Sequence, residues 1–534
     1  MPGPTDRSPQ ERAETAREPR VAVVGGGIAG LAAAWSLVHD HRLRRVTVLE
    51  ASPRVGGKLA SAELAGLTID TGAQSLVARR PEAVELVRAV GLGPALQEPA
   101  GDAMSVLVEG RLRMMPGATV MGVPTDLTAL ARSQVLDPQA LARIPWDHVL
   151  AQSHTGEDTS VGDHIGRRIG PQVVERLVGP TFAGVYAGDV MALSMRATMP
   201  ALFSAIQDER SLLVAAKSVY DNSSGRTAAR RHASGVAADH VGLEGGVGRL
   251  PQALITALTE RGAEVRTEAV VRGLERTATG WRVLVGSAAE PSWLDVDAVV
   301  LAVPAPAASR LLDGLAIGAS VHLGEIEYVS VATVTLAYRT EDLAAPDLLG
   351  VGEPGPEGEP GEGRPRRRSR EGRVSGPGGW AALGTTGFLV GLSEPRAVTA
   401  ATYASRRWRW LGRAAGTEGL SVVQTSIGRA GGATILQRHD AELVALSHDD
   451  LAFALRLGRA RPVDAVVARW GGALPQYAVG HVERVDAIRA SVAALPGITV
   501  CGAAYDGIGI AACIASGTRA ATEVASALRP NECS

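Results

Sequence analysis

The residues best suited to chemistry lie between positions 20 and 57, where Gly25-Gly26-Gly27-Ile28-Ala29-Gly30 follows the apolar run Val21-Ala22-Val23-Val24. That run, the glycine turn and the helix-forming Leu31-Ala32-Ala33-Ala34-Trp35 together predict strand, tight turn and helix. In such a unit Gly25 serves the turn, Gly27 lets backbone approach a pyrophosphate, and Gly30 lets helix pack closely on strand. The N–H groups of the first helical turn, those of Ile28 and Ala29 among them, then face the phosphates with a favourable dipole. A second strand, Val46-Thr47-Val48-Leu49, ends at Glu50 and Ala51. Glu50 stands about 20 residues beyond the last of these glycines, where an acid holds a ribose 2′-hydroxyl. An acid there repels a 2′-phosphate, which argues against NADP. Glycine spacing alone is a weak signal in a chain with 63 glycines among 534 residues. The ordered succession of strand, turn, helix, strand and acid gives it weight.

The elements that position these residues belong to a large chain. At 534 residues it exceeds one ordinary core and implies about two or three domains. With 46% hydrophobic and 21% charged residues it reads as globular with ample core. Its 54 basic and 56 acidic residues exclude a global nucleic-acid surface. No uncharged apolar run reaches the roughly 18 residues that span a bilayer. Residues 1–19 are polar, with no apolar signal region. The expectation is a cytoplasmic protein without an integral membrane segment, any membrane contact being peripheral. Cys501, Cys513 and Cys533 form no C-x-x-C pair, so neither a disulfide framework nor a zinc module is expected, and no metal site is assigned. His240 and His481 lack ligand-type neighbours at useful spacing and read as structural.

Arg54-Val55-Gly56-Gly57-Lys58 continues directly from Glu50. It resembles the R-x-G-G element of the FAD-dependent amine oxidase and protoporphyrinogen oxidase superfamily, in which an arginine and close backbone serve the FAD phosphates. This likeness points to FAD rather than NAD. Ser160-Val161-Gly162-Asp163 and Gly184-Val185-Tyr186-Ala187-Gly188-Asp189 resemble the middle region of protoporphyrinogen/coproporphyrinogen oxidases. Arg469-Trp470-Gly471-Gly472-Ala473-Leu474-Pro475 and the run from Gly502 through Tyr505-Asp506-Gly507-Ile508-Gly509-Ile510 to Cys513 resemble their C-terminal motifs. The likeness covers roughly residues 20–528 apart from two polar insertions, and is strongest to the soluble Gram-positive bacterial type. One departure is Ala511-Ala512, where the family commonly has Pro-Asp before the cysteine.

The resemblance implies an α/β fold: a Rossmann-like discontinuous FAD domain, a mixed β-sheet substrate domain and a helical insertion. The FAD domain is assigned to 20–85, 240–310 and 455–528, the substrate domain to 86–100, 200–239 and 311–454, and the helical domain to 101–199. Residues 1–19 read as a disordered leader. Residues 341–379, rich in Gly, Pro and Glu and carrying Arg366-Arg367-Arg368, read as a disordered insertion between strands near 331–338 and 387–390. Residues 204–239, with Asn222-Ser223-Ser224-Gly225-Arg226, read as a flexible surface segment.

The function implied is the six-electron oxidation of a porphyrinogen to a porphyrin in haem biosynthesis, with hydrides passed to FAD, dioxygen as acceptor and hydrogen peroxide released. Coproporphyrinogen III is the substrate of the type resembled, and protoporphyrinogen IX the runner-up. A flavin amine oxidase, a carotenoid desaturase and a non-catalytic flavin-bearing porphyrin-binding protein are more remote readings. Handover of the porphyrin to a ferrochelatase is compatible with the main one.

Carried over by resemblance, the cofactor contacts are Gly25, Gly27, Ile28, Ala29, Gly30, Glu50, Ala51, Arg54, Gly57, Lys58, Gly72, Ala73, Gln74, Ser75, Val270, Trp470, Ile508, Gly509 and Ile510. Val270 serves the adenine through backbone groups. Trp470 either lies against the isoalloxazine or is an ordinary core tryptophan. Arg79 and Arg80 are the first candidates for the substrate propionates, since Arg pairs bidentately with carboxylates, or else a solvated helix start before Pro81. Tyr505 either faces the flavin and substrate or packs in the core. No catalytic acid or base is assigned, because hydride chemistry belongs to the flavin and porphyrinogen N–H protons can pass to water.

Overall fold

A computed structural model describes residues 18–153, 156–234, 238–343 and 384–529. The leader, save residues 18 and 19, and the insertion expected at 341–379, save its first three residues, lie outside the described residues. Strand Arg20–Val24 is the centre of a five-stranded parallel sheet ordered Glu264–Arg266, Arg45–Leu49, Arg20–Val24, Ala298–Leu301, Ile498–Val500. Alternate residues of one strand enter different cores. Val21 and Val23 meet helices Ile28–His39, Arg249–Glu260 and Ile510–Leu528. Ala22 and Val24 face Ala305–Leu312, Ile317–Gly324 and His481–Ala493 on the other side. A parallel sheet covered on both faces needs this unbroken apolar run.

A mixed seven-stranded sheet forms the second layer, ordered Pro462–Pro475, Tyr328–Arg339, Leu420–Ile427, Val398–Thr402, Gly387–Val390, Ser105–Val108, Arg111–Met114. Helix Asp440–Leu455 covers one face, against Leu336, Tyr338 and Phe388. The hairpin Ser61–Leu64 and Leu67–Asp70 reaches the other face, where Leu67 and Ile69 share a core with Ala337 and Val422. A helical body, including Val161–Ile169, Gly179–Tyr186 and Pro200–Asp208, makes a third core. It is clamped by a buried ion pair, Arg168 Nε to Asp147 Oδ1 at 2.5 Å. The other carboxylate oxygen accepts from Ser211 Oγ at 2.6 Å and Leu213 N at 2.9 Å, so the desolvated acid is satisfied.

Several assigned boundaries move. Ser105–Val108 and Arg111–Met114 are sheet strands, so the helical body starts after them and not at 101. Helices in 200–234 complete the helical core through Leu202, Ile206, Leu212 and Leu213 and do not join the substrate layer. Residues 311–323 pack on the parallel sheet beside Val299 and Leu301. So does Val87, from the stretch 86–100, through the first core. Pro462–Pro475, inside the segment given to the FAD domain, pairs with Tyr328–Arg339 in the substrate sheet. The physical reason is common to all: an apolar pattern gives an element and its buried face but not the layer that covers it.

The segment expected to be flexible at 204–239 instead contains helix Leu212–Ser234. Leu212, Leu213, Ala215 and Ala216 bury its first turns, and tertiary docking overrides the weak helix propensity of Asn222, Ser223, Ser224 and Gly225.

Candidate active site

The two glycine motifs meet. Gly56 N–H donates to Gly26 O at 2.8 Å, Gly27 and Gly56 form a parallel bridge, and a side chain on Gly57 would touch Gly27 Cα. Gly25, at φ +106°, has no room for a Cβ beside the Ala302 carbonyl, and one on Gly30 would strike the Gly25 carbonyl oxygen. Gly27 caps helix Ile28–His39 without any side-chain hydrogen bond, and nothing lies within 4 Å of where its Cβ would be. The helix therefore presents its first N–H groups, including those of Ile28 and Ala29, beside open space, as a pyrophosphate requires.

Glu50 follows strand Arg45–Leu49 and is held by backbone: Oε2 accepts from Gly26 N and Oε1 from Ser52 N, both at 2.8 Å. A carboxylate has about four acceptor positions, so lone pairs remain for ribose hydroxyls. Ala51 is exposed next to it. Arg54 donates to Gly57 O at 2.8 Å, and its guanidinium also lies 5.9 Å from the Trp470 ring. It thus shapes the glycine loop as well as standing near the site. Burial pushes the Lys58 ammonium below its ordinary value, with Cys513 acting the other way. Val270 gives its carbonyl to Gly286 N–H at 3.0 Å.

Residues 70–75 lie between this loop and the substrate sheet. Thr71 N donates to Ala60 O at 2.9 Å and Ala73 N to Lys58 O at 3.2 Å. A Cβ on Gly72 would collide with Lys58 O and come within 3.2 Å of the Trp470 ring. Trp470 Nε1 donates to Thr71 O at 3.2 Å, so this tryptophan stands against the segment and is not part of a remote core. The Gln74 side chain turns away from the glycine loop and donates to Gln424 Oε1 at 2.6 Å. Ser75 is half-buried at the end of the segment. Asp70 accepts from Val247 N and Gly248 N, both at 2.9 Å, and burial pushes its carboxyl up to about 6.

A second uncapped helix start converges on the same region. Gly509 caps Ile510–Leu528 with no side-chain bond and open space where a Cβ would be, and Ile508 and Ile510 flank it. Gly517 lets this helix cross the glycine-turn helix at Ala29, whose carbonyl a larger residue would strike. Ala511 and Ala512, the departure from the family pattern, are buried in the first turn. Tyr477 donates its hydroxyl to Ala503 O, stacks on His481 at 4.1 Å and tilts against Tyr186 at 6.0 Å. Burial, with Arg484 assisting, pushes His481 down to about 4, which keeps the imidazole neutral.

The substrate-side candidates separate. Arg79 and Arg80 are exposed just before helix Pro81–Ala89, and among the described residues neither enters an ion pair. Burial pushes the Tyr186 hydroxyl up to about 12 while the Arg80 cation pulls against it. Tyr505 is 6% exposed and packs with Val485, Ile488 and Ile498 in the core behind the parallel sheet. Its place as a substrate contact is therefore corrected: the apolar core takes the ring. Thr333 and Gln424, which grip residues 70–74, and Thr335, which accepts from Gln424, were not legible in the sequence, because nothing in a strand pattern marks a buried threonine or glutamine as a partner for a distant loop.

The sequence profile described as flavin containing amine oxidoreductase matches residues 28–525. The chain belongs to this family. Like other flavin containing amine oxidoreductases it is an oxidoreductase, and its cofactor is FAD. It is 29% identical over 508 residues to the coproporphyrinogen III oxidase of Bacillus subtilis (strain 168), covering 94% of this chain and 97% of the relative. With the coproporphyrinogen III oxidase of Mycobacterium tuberculosis (strain ATCC 25618 / H37Rv) it shares 32% identity over 513 residues, covering 95% and 97%. Among solved structures it is similar to a protein from Exiguobacterium sp. 255-15 named as a protoporphyrinogen oxidase, at 27% identity and a TM-score of 0.76, covering 96% and 99%. The residues present fit FAD: two uncapped helix starts, glycines open where side chains would intrude, and a backbone-held acid at the ribose position. No helix among the described residues is long and apolar enough to cross a membrane.

Proposed function

We propose that the protein oxidises coproporphyrinogen III to coproporphyrin III, passing electrons to dioxygen and releasing hydrogen peroxide. The observation that carries this reading is likeness along nearly the whole chain to coproporphyrinogen III oxidases, the helical body and the substrate sheet included. Bound FAD supplies the hydride acceptance. The chain's own residues bind and orient. The helix starts at Ile28 and Ile510 and the glycines of the two loops receive the dinucleotide, Glu50 takes the ribose, and Trp470 with residues 72–75 borders the ring. Arg79 and Arg80 are free of ion pairs among the described residues and offer planar donors for carboxylates, which suits a substrate bearing propionates. No protein base is assigned: with three hydrides taken from meso carbons, the three accompanying protons, two net from N–H and one from the remaining meso carbon, pass to water. The same reading places the protein in the cytoplasm and delivers the porphyrin to a ferrochelatase.

Loss of six hydrogens per macrocycle requires three dioxygen molecules to become three hydrogen peroxide molecules. An oxygen electrode and a peroxide assay run on one reaction mixture should therefore give a ratio of three to one against porphyrin formed. Porphyrin formation without catalysed oxygen uptake would overturn dioxygen as the acceptor.

A further inference from the structure

The seven-stranded sheet carries an unusual polar patch on the face turned to the FAD side. Val331, Thr333 and Thr335 alternate onto one face of Tyr328–Arg339. In the flanking strands Gln424 stands directly opposite Thr335, and Trp470 opposite Val331. Three side chains of this patch, Thr333, Gln424 and Trp470, hydrogen-bond to residues 70–74, and Thr335 supports Gln424 from its own sheet. Thr333 Oγ1 donates to Thr71 O at 2.6 Å, and Trp470 Nε1 to the same oxygen. Gln424 makes three bonds: Nε2 to Asp70 O at 2.8 Å and to Thr335 Oγ1 at 3.0 Å, and Oε1 from Gln74 Nε2 at 2.6 Å. It is 7% exposed. A buried amide costs stability unless its donors and acceptor are all used, and here one donor and the acceptor are used on a loop of another layer.

A cavity of about 10 Å³, room for about one water molecule, borders Asp70, Gln74, Thr335 and Gln424. The segment is thus held on that side by hydrogen bonds beside a small void. The opposite side of residues 71–73 is bonded to Lys58 and Ala60, next to the Gly56-Gly57 loop that touches Gly26 and Gly27. A continuous line of hydrogen bonds therefore runs from the substrate sheet to the dinucleotide turn.

We infer that Gln424 is a positioning residue: it sets the place of residues 72–75 against the flavin from the substrate layer, by holding the Asp70 carbonyl and the Gln74 amide together. This rests on the flavin contact proposed for residues 72–75. Gln424→Leu keeps the volume and removes all three bonds. Thr425→Val is the control. Thr425 is the next residue, fully buried on the opposite face, and bonds to Val334 O in the adjacent strand and to Ser447 on the helix covering that face.

The experiment reads FAD affinity and the band shape of bound FAD in the visible spectrum of the full chain. Gln424→Leu should weaken FAD binding about tenfold, the scale of one to two lost buried hydrogen bonds, and change the band shape. Gln74→Leu should do the same, with the double variant no worse than the more affected single one. Thr425→Val should lower the unfolding temperature and leave both flavin readouts unchanged. Wild-type affinity and spectrum in Gln424→Leu, or the same change in Thr425→Val, would overturn the proposal. Neither readout uses porphyrinogen, so failure of the substrate reading does not touch it. Protection of a Ser75→Cys thiol by FAD tests the contact itself: absence of protection overturns the premise, and protection with an unaltered Gln424→Leu overturns the positioning role.

Discussion

Asp70 shows what a single buried group contributes. Its carboxyl is raised from 3.8 to about 6 by burial, with the Val247, Gly248 and Ser61 hydrogen bonds opposing. Between those values the folded chain binds more protons at this site than the unfolded chain does. Stability therefore falls as pH rises through the window, and the cost is fully present above it. Asp70→Asn removes the titration. Relative to wild type, the variant should gain roughly 2–3 kcal/mol on going from pH 4 to pH 7, read by unfolding at both pH values. A constant difference between the two proteins would contradict this. At the substrate side, replacing Arg79 and Arg80 together by Gln should raise KM for coproporphyrinogen about tenfold, or about 1.4 kcal/mol of binding, with kcat little changed. An equal fall in kcat would assign them to the reacting geometry instead. The glycines of the dinucleotide turn were legible because close backbone approach forbids a Cβ at short fixed spacing. Gln424 was not, since its partner Gln74 lies 350 residues away.

At the scale of elements, the crossing of helices Ile28–His39 and Ile510–Leu528 depends on Gly517. Gly517→Val forces a side chain into the Ala29 carbonyl and the Ala33 amide and should destabilise by about 1–3 kcal/mol, with loss of FAD retention on gel filtration. Retained FAD and an unchanged melting temperature would show that the crossing tolerates a larger side chain. Helix Leu212–Ser234 gives the opposite case. Gly225 has open space around its Cβ position, so Gly225→Ala should stabilise by roughly 0.5–1 kcal/mol, measured as a raised unfolding temperature. No gain would mean that this part of the helix frays. The sequence shows Asn, Ser and Gly there and reads as a loop. The helix forms because Leu212 to Ala216 dock on the helical core, a tertiary fact that local propensity does not carry.

Across the whole molecule, the strand, turn, helix and acid of the dinucleotide site were readable because they are consecutive in the chain. The layers were less so. Pro462–Pro475 carries its Trp470 to the FAD side while pairing with Tyr328–Arg339, so one strand serves both the substrate sheet and the cofactor edge. That sharing joins the layers into one site. The most direct test is the aerobic initial rate of porphyrin fluorescence from purified, FAD-loaded protein given coproporphyrinogen III or protoporphyrinogen IX in parallel, with enzyme-free autoxidation controls. A rate well above control with a clear preference for coproporphyrinogen III is the predicted result; rates at the control level with both substrates would contradict the assignment.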